Sequence, residues 1–237
     1  MLPLARVTVR PCARYDPHAW YWEIPAVGQL RATGLTLDRP VTVLVGENGG
    51  GKSTVLEAVA AAWGRRLTAQ VHHWSPRPGD EDADLGWHLW LDGQRPPPQG
   101  GCFLRAEAMH THFAGLDTDT RAFDGTPLNA RSHGEGFLAF LESRRTERGL
   151  YLLDEPEAAL SFRSCLALLV LLGDAVQAGS QVVLATHSPL LAAFPGARVL
   201  ELGADGATPR EWAELDLVRD WRDFLSAPER WLRHLAG

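Results

Sequence analysis

Gly46-Glu47-Asn48-Gly49-Gly50-Gly51-Lys52-Ser53-Thr54 is the stretch on which the fold turns. It follows Val41-Thr42-Val43-Leu44-Val45, an apolar, β-branched run with the composition of a strand buried on both faces. It precedes Val55 to Trp63, which reads as a helix ended by Gly64. In the order strand, glycine loop, Gly-Lys-Ser, helix, successive backbone N–H groups can turn inward around an anion, and the helix N-terminus adds the positive end of its dipole. Lys52 is then placed to reach the β- and γ-phosphates of a nucleoside triphosphate, and Ser53 to ligate Mg²⁺. A ligand-free glycine turn would explain the loop but not its two flanks. Gly46, Glu47, Asn48, Gly49, Gly50, Gly51, Lys52, Ser53 and Thr54 are the predicted nucleotide contacts.

The rest of the composition sets bounds. A chain of 237 residues, 45% apolar and 22% charged, suits one α/β domain with a small inserted lobe. The net charge of −6 opposes indiscriminate binding to a polyanion, which leaves any nucleic-acid partner to a local basic patch. Cys12, Cys102 and Cys165 stand far apart and suggest neither a zinc site nor a disulfide framework. That usage, with no charged-then-apolar leader, predicts a cytoplasmic protein. The longest apolar run, Cys165 to Leu172, is too short to cross a bilayer, so no direct membrane insertion is expected.

The predicted fold is an α/β nucleotide-binding core with a mostly parallel sheet. An antiparallel N-terminal β part is expected from strands at Leu4 to Arg10 and around Trp20 to Ile24. The core takes 1–64 and 149–210. Residues 65–148 read as a smaller, helical inserted lobe, with loop sequences Ser75 to Asp82 and Gln94 to Gly101 around a short strand Trp87 to Leu91. A strand Cys102 to Leu104 and helices up to Arg148 complete it. Gly149 then punctuates, ahead of a buried strand Leu150 to Leu153. A helix over Phe162 to Ala178 follows, then strands at Gln181 to Ala185 and Arg198 to Glu201. The tail, 211–237, is amphipathic, and its Trp212, Trp221, Phe224, Leu225, Trp231 and Leu235 are expected to pack back on the core.

Leu150-Tyr151-Leu152-Leu153-Asp154-Glu155-Pro156 is an apolar strand ending in two adjacent carboxylates. Beside a phosphate loop, Asp154 is placed to hold Mg²⁺. Glu155, pointing elsewhere, can face the γ-phosphate and deprotonate the attacking water. Thr186-His187-Ser188-Pro189 follows the next strand; Ser188 can cap a helix that begins at Pro189, leaving His187 on the elbow as a γ-phosphate sensor. Arg131-Ser132-His133-Gly134-Glu135-Gly136 opens a helix and offers a hydroxyl and free N–H groups to an anion; alone it would be no more than a cap.

The order of these motifs resembles the ABC-type ATPases of the SMC/RecF-like kind. More narrowly, Ser-His-Gly-Glu, Asp-Glu-Pro-Glu-Ala-Ala-Leu-Ser, Ala-Thr-His-Ser-Pro and the closing Pro228 to Leu235 are similar to a bacterial group of small, stand-alone ATPases termed AAA-family. The resemblance runs from about Val41 onward and implies a single ABC-type ATPase domain acting as a head-to-tail homodimer. ATP held by Lys52 of one copy would be completed by Ser132, Gly134 and Glu135 of the other. Two departures stand out. Arg131-Ser132-His133-Gly134-Glu135 replaces Leu-Ser-Gly-Gly-Gln, and Glu157-Ala158-Ala159-Leu160-Ser161 ends in Ser where Asp is usual. For the glutamine that touches Mg²⁺ in the family, Glu107 is the candidate by position and Gln70 the alternative. Trp22 is placed either to stack on adenine or to fill the core.

Other clusters have plainer readings. His72-His73 and His110-Thr111-His112 lack a third ligand spaced for zinc. The acidic run Asp80 to Asp84 reads as a solvated loop and Pro96-Pro97-Pro98 as a rigid surface turn. The expected function is Mg-dependent ATP hydrolysis with Glu155 as base, Lys52 and Mg²⁺ as electrostatic stabilisers, and His187 and Ser132 on the γ-phosphate. Closure on ATP would do work on an unknown protein partner in DNA maintenance or another cytoplasmic process. No coiled-coil insertion supplies a DNA-bridging arm. The alternatives are the ATP-binding subunit of a membrane transporter and a non-catalytic dimerisation switch, which Glu155 opposes. A small-molecule kinase would leave His187 and Ser132 without a purpose.

Overall fold

Two sheets organise the described residues of the computed structural model, which are 1–10, 12, 16–67, 82–108 and 132–233. The larger has six strands in the order β5 (Gly100–Arg105), β6 (Gly149–Asp154), β7 (Gln181–Ala185), β3 (Val41–Gly46), β8 (Arg198–Gly203), β9 (Gly206–Arg210). Every neighbouring pair is parallel except β8 and β9. The smaller sheet is antiparallel, with β1 (Arg6–Val9) between β2 (Leu35–Thr36) and β4 (Leu89–Asp92). This is the α/β class and the mixture of parallel and antiparallel pairing that the sequence predicts.

Helix α2 (Lys52–Gly64) lies between the sheets, and Thr54 to Trp63 are buried without interruption. A helix buried all round belongs inside a core, and α2 joins one face of the large sheet to Leu4, Val7 and Leu91 around the small one. The opposite face is covered by α4 (His133–Arg144) and α5 (Phe162–Gln177) with Phe137, Phe140, Cys165, Leu168 and Leu172. β6 is buried at all six positions, as a central parallel strand covered on both faces must be. The parallel register sets Arg105 beside Asp154 and Asp154 beside Ala185, so the chemically loaded residues gather at one edge.

Several elements differ from expectation. Trp20 to Ile24 is not a strand but a 3₁₀ turn, Trp20–Glu23, that runs into α1 (Pro25–Ala32). Pro25 at the first helical position favours that entry, and Tyr21 buries its ring there. Trp87 to Leu91 is divided between α3 (Asp82–His88) and β4. Within the stretch read as an inserted lobe, β4 belongs to the antiparallel sheet and β5 to the edge of the parallel one. Gly149 is not a break but the first, buried residue of β6. The tail contains α7 (Asp216–Ser226) and α8 (Pro228–Leu232) after a short α6 (Pro189–Ala192) and the β8–β9 hairpin. Most of its large apolar side chains do not return to the core: Trp212, Trp221, Leu225 and Trp231 stay exposed, Phe224 is half-buried, and among the described residues of the tail Leu215 and Val218 are the buried ones. Charges at Asp216, Arg219, Asp220, Arg222 and Asp223 restrict α7 to a narrow apolar stripe. Gln70, His72, His73, Asp80, Glu81, His110, His112, Arg131 and Leu235 lie outside the described residues.

Candidate active site

The loop after β3 ends at Gly51, whose φ of +88° makes it the left-handed residue that opens α2. A Cβ there would stand 2.4 Å from Ile24 Cγ2, so glycine is required by conformation and by space. Lys52 follows, 3% exposed, and its ammonium donates to the carbonyls of Gly46 at 2.9 Å and Glu47 at 3.0 Å. Burial lowers the Lys52 pKa, against the pull of Glu155 and Asp154. A buried ammonium bonded to neutral carbonyls at a helix N-terminus suits a phosphate chain.

Ser53 lies beside Lys52 and donates its hydroxyl to Asp154 Oδ1 at 3.0 Å. Asp154 ends β6, 1% exposed, and burial pushes its carboxyl up to about 6, with Arg105 and Ser53 pulling it back. One hydroxyl and one carboxylate are hard oxygen donors, and Mg²⁺ is commonly held by one or two protein groups plus phosphate oxygens. The donor set therefore fits Mg²⁺, and among the described residues no cluster of three or more His, Cys, Asp or Glu offers a different metal cage. Glu107 sits on the 3₁₀ turn Ala106–Ala108, and its exposed carboxylate lies 4.0 Å from Arg105 rather than against the Ser53–Asp154 pair.

The raised Asp154 pKa carries a stability prediction. The unfolded carboxyl titrates at 3.8 and the folded one at about 6, so the folded state holds the proton to higher pH. The stabilisation is complete below the lower value and lost as pH rises through the upper one, about 3 kcal/mol at most. Asp154→Asn is expected to raise the melting temperature of the nucleotide-free protein by a few degrees at pH 7.5 and to converge on wild type near pH 4. Thermal unfolding at the two pH values checks this; a variant less stable at pH 7.5 would contradict it.

Glu155 adopts φ 46°, an uncommon left-handed conformation for a side chain that is not glycine, with its N–H bonded to Ala185 O at 2.9 Å. It joins Lys52, Ser53, Thr54, Trp20 and Glu23 around a cleft of about 440 Å³. His187 Nε2 lies 3.3 Å from Glu155 Oε1. The elbow is fixed by Glu157, whose Oε1 accepts from the Thr186 hydroxyl at 2.7 Å and from the His187 N–H. Ser188 caps α6, accepting from Leu191 N at 3.4 Å, as the sequence predicts.

Ser132 is the N-cap of α4. Its hydroxyl accepts from Glu135 N at 3.4 Å, while the Glu135 carboxylate accepts from Ser132 N at 3.1 Å and Ser132 Oγ at 2.7 Å. This capping box gives Glu135 a local task and a physical reason to stand where an amide is common. Gly134 seats α4 on the turn Pro156–Ala159: a Cβ there would be 2.8 Å from Ala159 O. Ser161 caps α5 through Ser164 N at 3.2 Å, a role that serine fills as well as aspartate. Neither Ser132 nor Gly134 lines the cleft that holds Lys52.

Trp22 packs against the core, near His88 and Tyr21, and donates to Asp16 O at 2.7 Å. It is Trp20, two residues earlier and 45% exposed, that lines the cleft. The sequence reading also missed Glu57, Arg105 and Glu157. The spacing from Ser53 to Glu57, one helical turn on the same face, was the available signal for the first.

Comparison with known proteins bears on the family and the fold. Residues 122–193 match a family model described as "AAA domain, putative AbiEii toxin, Type IV TA system", and residues 23–71 match a second AAA domain model. The chain is 33% identical over 201 residues to the hemin import ATP-binding protein HmuV of Streptomyces coelicolor, covering 72% of this chain and 69% of that one. It is 29% identical over 162 residues to the cytochrome c biogenesis ATP-binding export protein CcmA of Rhizobium johnstonii, covering 62% and 75%. In fold it is similar to a solved ATP-binding subunit of an ABC transporter, with a TM-score of 0.52 at 16% identity over 92% of this chain and 93% of that one. At the identity and coverage it shares with HmuV, the chain belongs to the ABC-type ATPases.

Proposed function

We propose that the chain hydrolyses ATP with Mg²⁺ at two sites shared across a head-to-tail homodimer. One observation carries this reading. Lys52, Ser53, Asp154, Glu155 and His187 gather where β3, β6 and β7 end, whereas Ser132 and Gly134 sit at the end of α4, outside that cleft. A second copy, turned about, brings the missing hydroxyl and N–H groups. In this arrangement Lys52 and the loop N–H groups hold the β- and γ-phosphates, and Trp20 offers a face to the adenine. Ser53 and Asp154 hold the Mg²⁺, which when bound neutralises charge on the phosphate oxygens. The Glu155 carboxylate takes a proton from the attacking water, and His187 holds that carboxylate in place. The helical part of 65–148 that carries Ser132 acts as the arm reaching the other copy.

Mixing two inactive variants tests the shared site. Lys52→Met and Ser132→Ala each lack one half, yet a mixed dimer contains one intact pairing of Lys52 with Ser132. Phosphate release from the mixture is expected to recover well above either variant alone. If the mixture stays as slow as its parts, the composite site is wrong.

A second reading is favoured by the relatives whose names place them in hemin import and in an export process. In it the dimer is the ATP-binding subunit of a transporter, on the cytoplasmic face of a separate membrane partner. No helix among the described residues is long and apolar enough to cross a membrane.

A further inference from the structure

Four side chains form a closed ring behind the phosphate loop. Ser53 and Glu57 stand one turn apart on the same face of α2. Asp154 and Arg105 are register partners at the ends of β6 and β5. Ser53 donates to Asp154 Oδ1 at 3.0 Å, Arg105 Nε lies 3.5 Å from Asp154 Oδ2, and the Arg105 guanidinium is ion-paired to Glu57, which returns the ring to α2. Glu57 is 3% exposed and Asp154 1% exposed, so both carboxylates need a counter-charge from within the protein. Among the described residues, Arg105 is a cation that meets both. The hydrolytic roles assigned to Lys52, Glu155 and His187 make no use of it.

We propose that Arg105 is a positioning residue that keeps divalent metal off Asp154 until a triphosphate brings its own negative charge. With Arg105 present, two buried carboxylates share one guanidinium and the ring carries a single net negative charge. Lys52, also buried at this edge, adds a second positive charge nearby. A divalent cation approaching the empty site therefore meets a carboxylate whose charge is already largely answered, and charges within a few ångströms are poorly screened by protein. Four phosphate charges reverse that balance. Metal and nucleotide then enter together, with the guanidinium remaining on Glu57. This rests on the proposed role of Ser53 and Asp154 as metal ligands.

Charge changes at Arg105 and Glu57 must act in opposite directions if this is correct. Free Mn²⁺ measured by electron paramagnetic resonance reports metal binding to the nucleotide-free protein. Arg105→Gln is expected to bind Mn²⁺ without nucleotide at least tenfold more tightly than wild type, and Arg105→Lys is expected to match wild type. Glu57→Gln leaves the guanidinium to Asp154 and the exposed, more distant Glu107, and removes a buried charge rather than orphaning one, so it also serves if Arg105→Gln fails to fold. For it, the Mg²⁺ concentration that half-maximally enhances binding of a fluorescent ATP analogue is expected to rise about tenfold, with Mg²⁺-free binding unchanged. A merely structural role would weaken metal binding in both neutral variants. Unchanged or uniformly weakened metal affinity overturns the proposal. If wild type shows no Mg²⁺ dependence of nucleotide binding at all, the ligand roles of Ser53 and Asp154 fail first.

Discussion

Glu155→Gln is expected to slow phosphate release about a hundredfold or more while ATP affinity stays close to that of wild type. The amide has the size of the carboxylate but cannot accept the proton of the attacking water at neutral pH. The left-handed backbone at Glu155 is fixed by its N–H bond to Ala185 O and by the Pro156 turn, so the substitution leaves the main chain where it is. His187 Nε2, 3.3 Å from Oε1, meets a side chain of the same size and reach in the amide. Binding and chemistry therefore separate. An ATP-bound dimer that accumulates because it cannot reopen is the second expected result, read by light scattering alongside phosphate release. A variant that hydrolyses ATP at a rate near that of wild type would remove Glu155 from the role of base, and a monomer under saturating Mg-ATP would remove the shared interface.

Lys52→Met is expected to weaken ATP binding by about two orders of magnitude. Its ammonium is held by Gly46 O and Glu47 O and is almost wholly buried, so little conformational freedom is lost when phosphates arrive. A charge-assisted hydrogen bond in a dry site contributes about 1.5–3 kcal/mol, or roughly tenfold to a hundredfold in affinity. Methionine preserves the volume and the apolar stem, which keeps α2 in register. Equilibrium titration with a fluorescent ATP analogue measures the loss. A change of less than threefold would mean that the loop N–H groups alone hold the phosphates. Removing a buried charge should leave the nucleotide-free fold at least as stable, so unfolding is not the cause of the defect.

The parts legible in the sequence were those with local causes. Strand, glycine turn and helix dipole are contiguous from Val41 to Trp63, and the phosphate loop could be read from them residue by residue. Ser188 and Pro189 announce a capped helix within two positions. What the sequence hid was long-range. Glu57 reads as one more residue of a good helix, and only the pairing of β5 with β6 brings Arg105 to it. Trp20 and Trp22 are indistinguishable as letters; the 3₁₀ turn decides that one faces the cleft and the other the core. The Glu135 departure from the usual motif has a local cause in the capping box, which only the structure shows. The tail hid its exposure because its aromatic content reads as burial, whereas Asp216, Arg219, Asp220, Arg222 and Asp223 leave α7 only a narrow apolar stripe.

The seat of Gly134 on Ala159 has a bearing on timing. Glu155 begins the turn 156–159, and α4 rests on that turn with no room for a methyl group between them. Close-packed contacts transmit displacement rather than absorb it. A shift of the turn when Glu155 changes its partner is therefore delivered to Ser132 without slack. In the proposed dimer each Ser132 would stand against the other copy's phosphates. Through that contact, a change at one nucleotide would be passed to the site completed by the other copy, giving the pair a common beat.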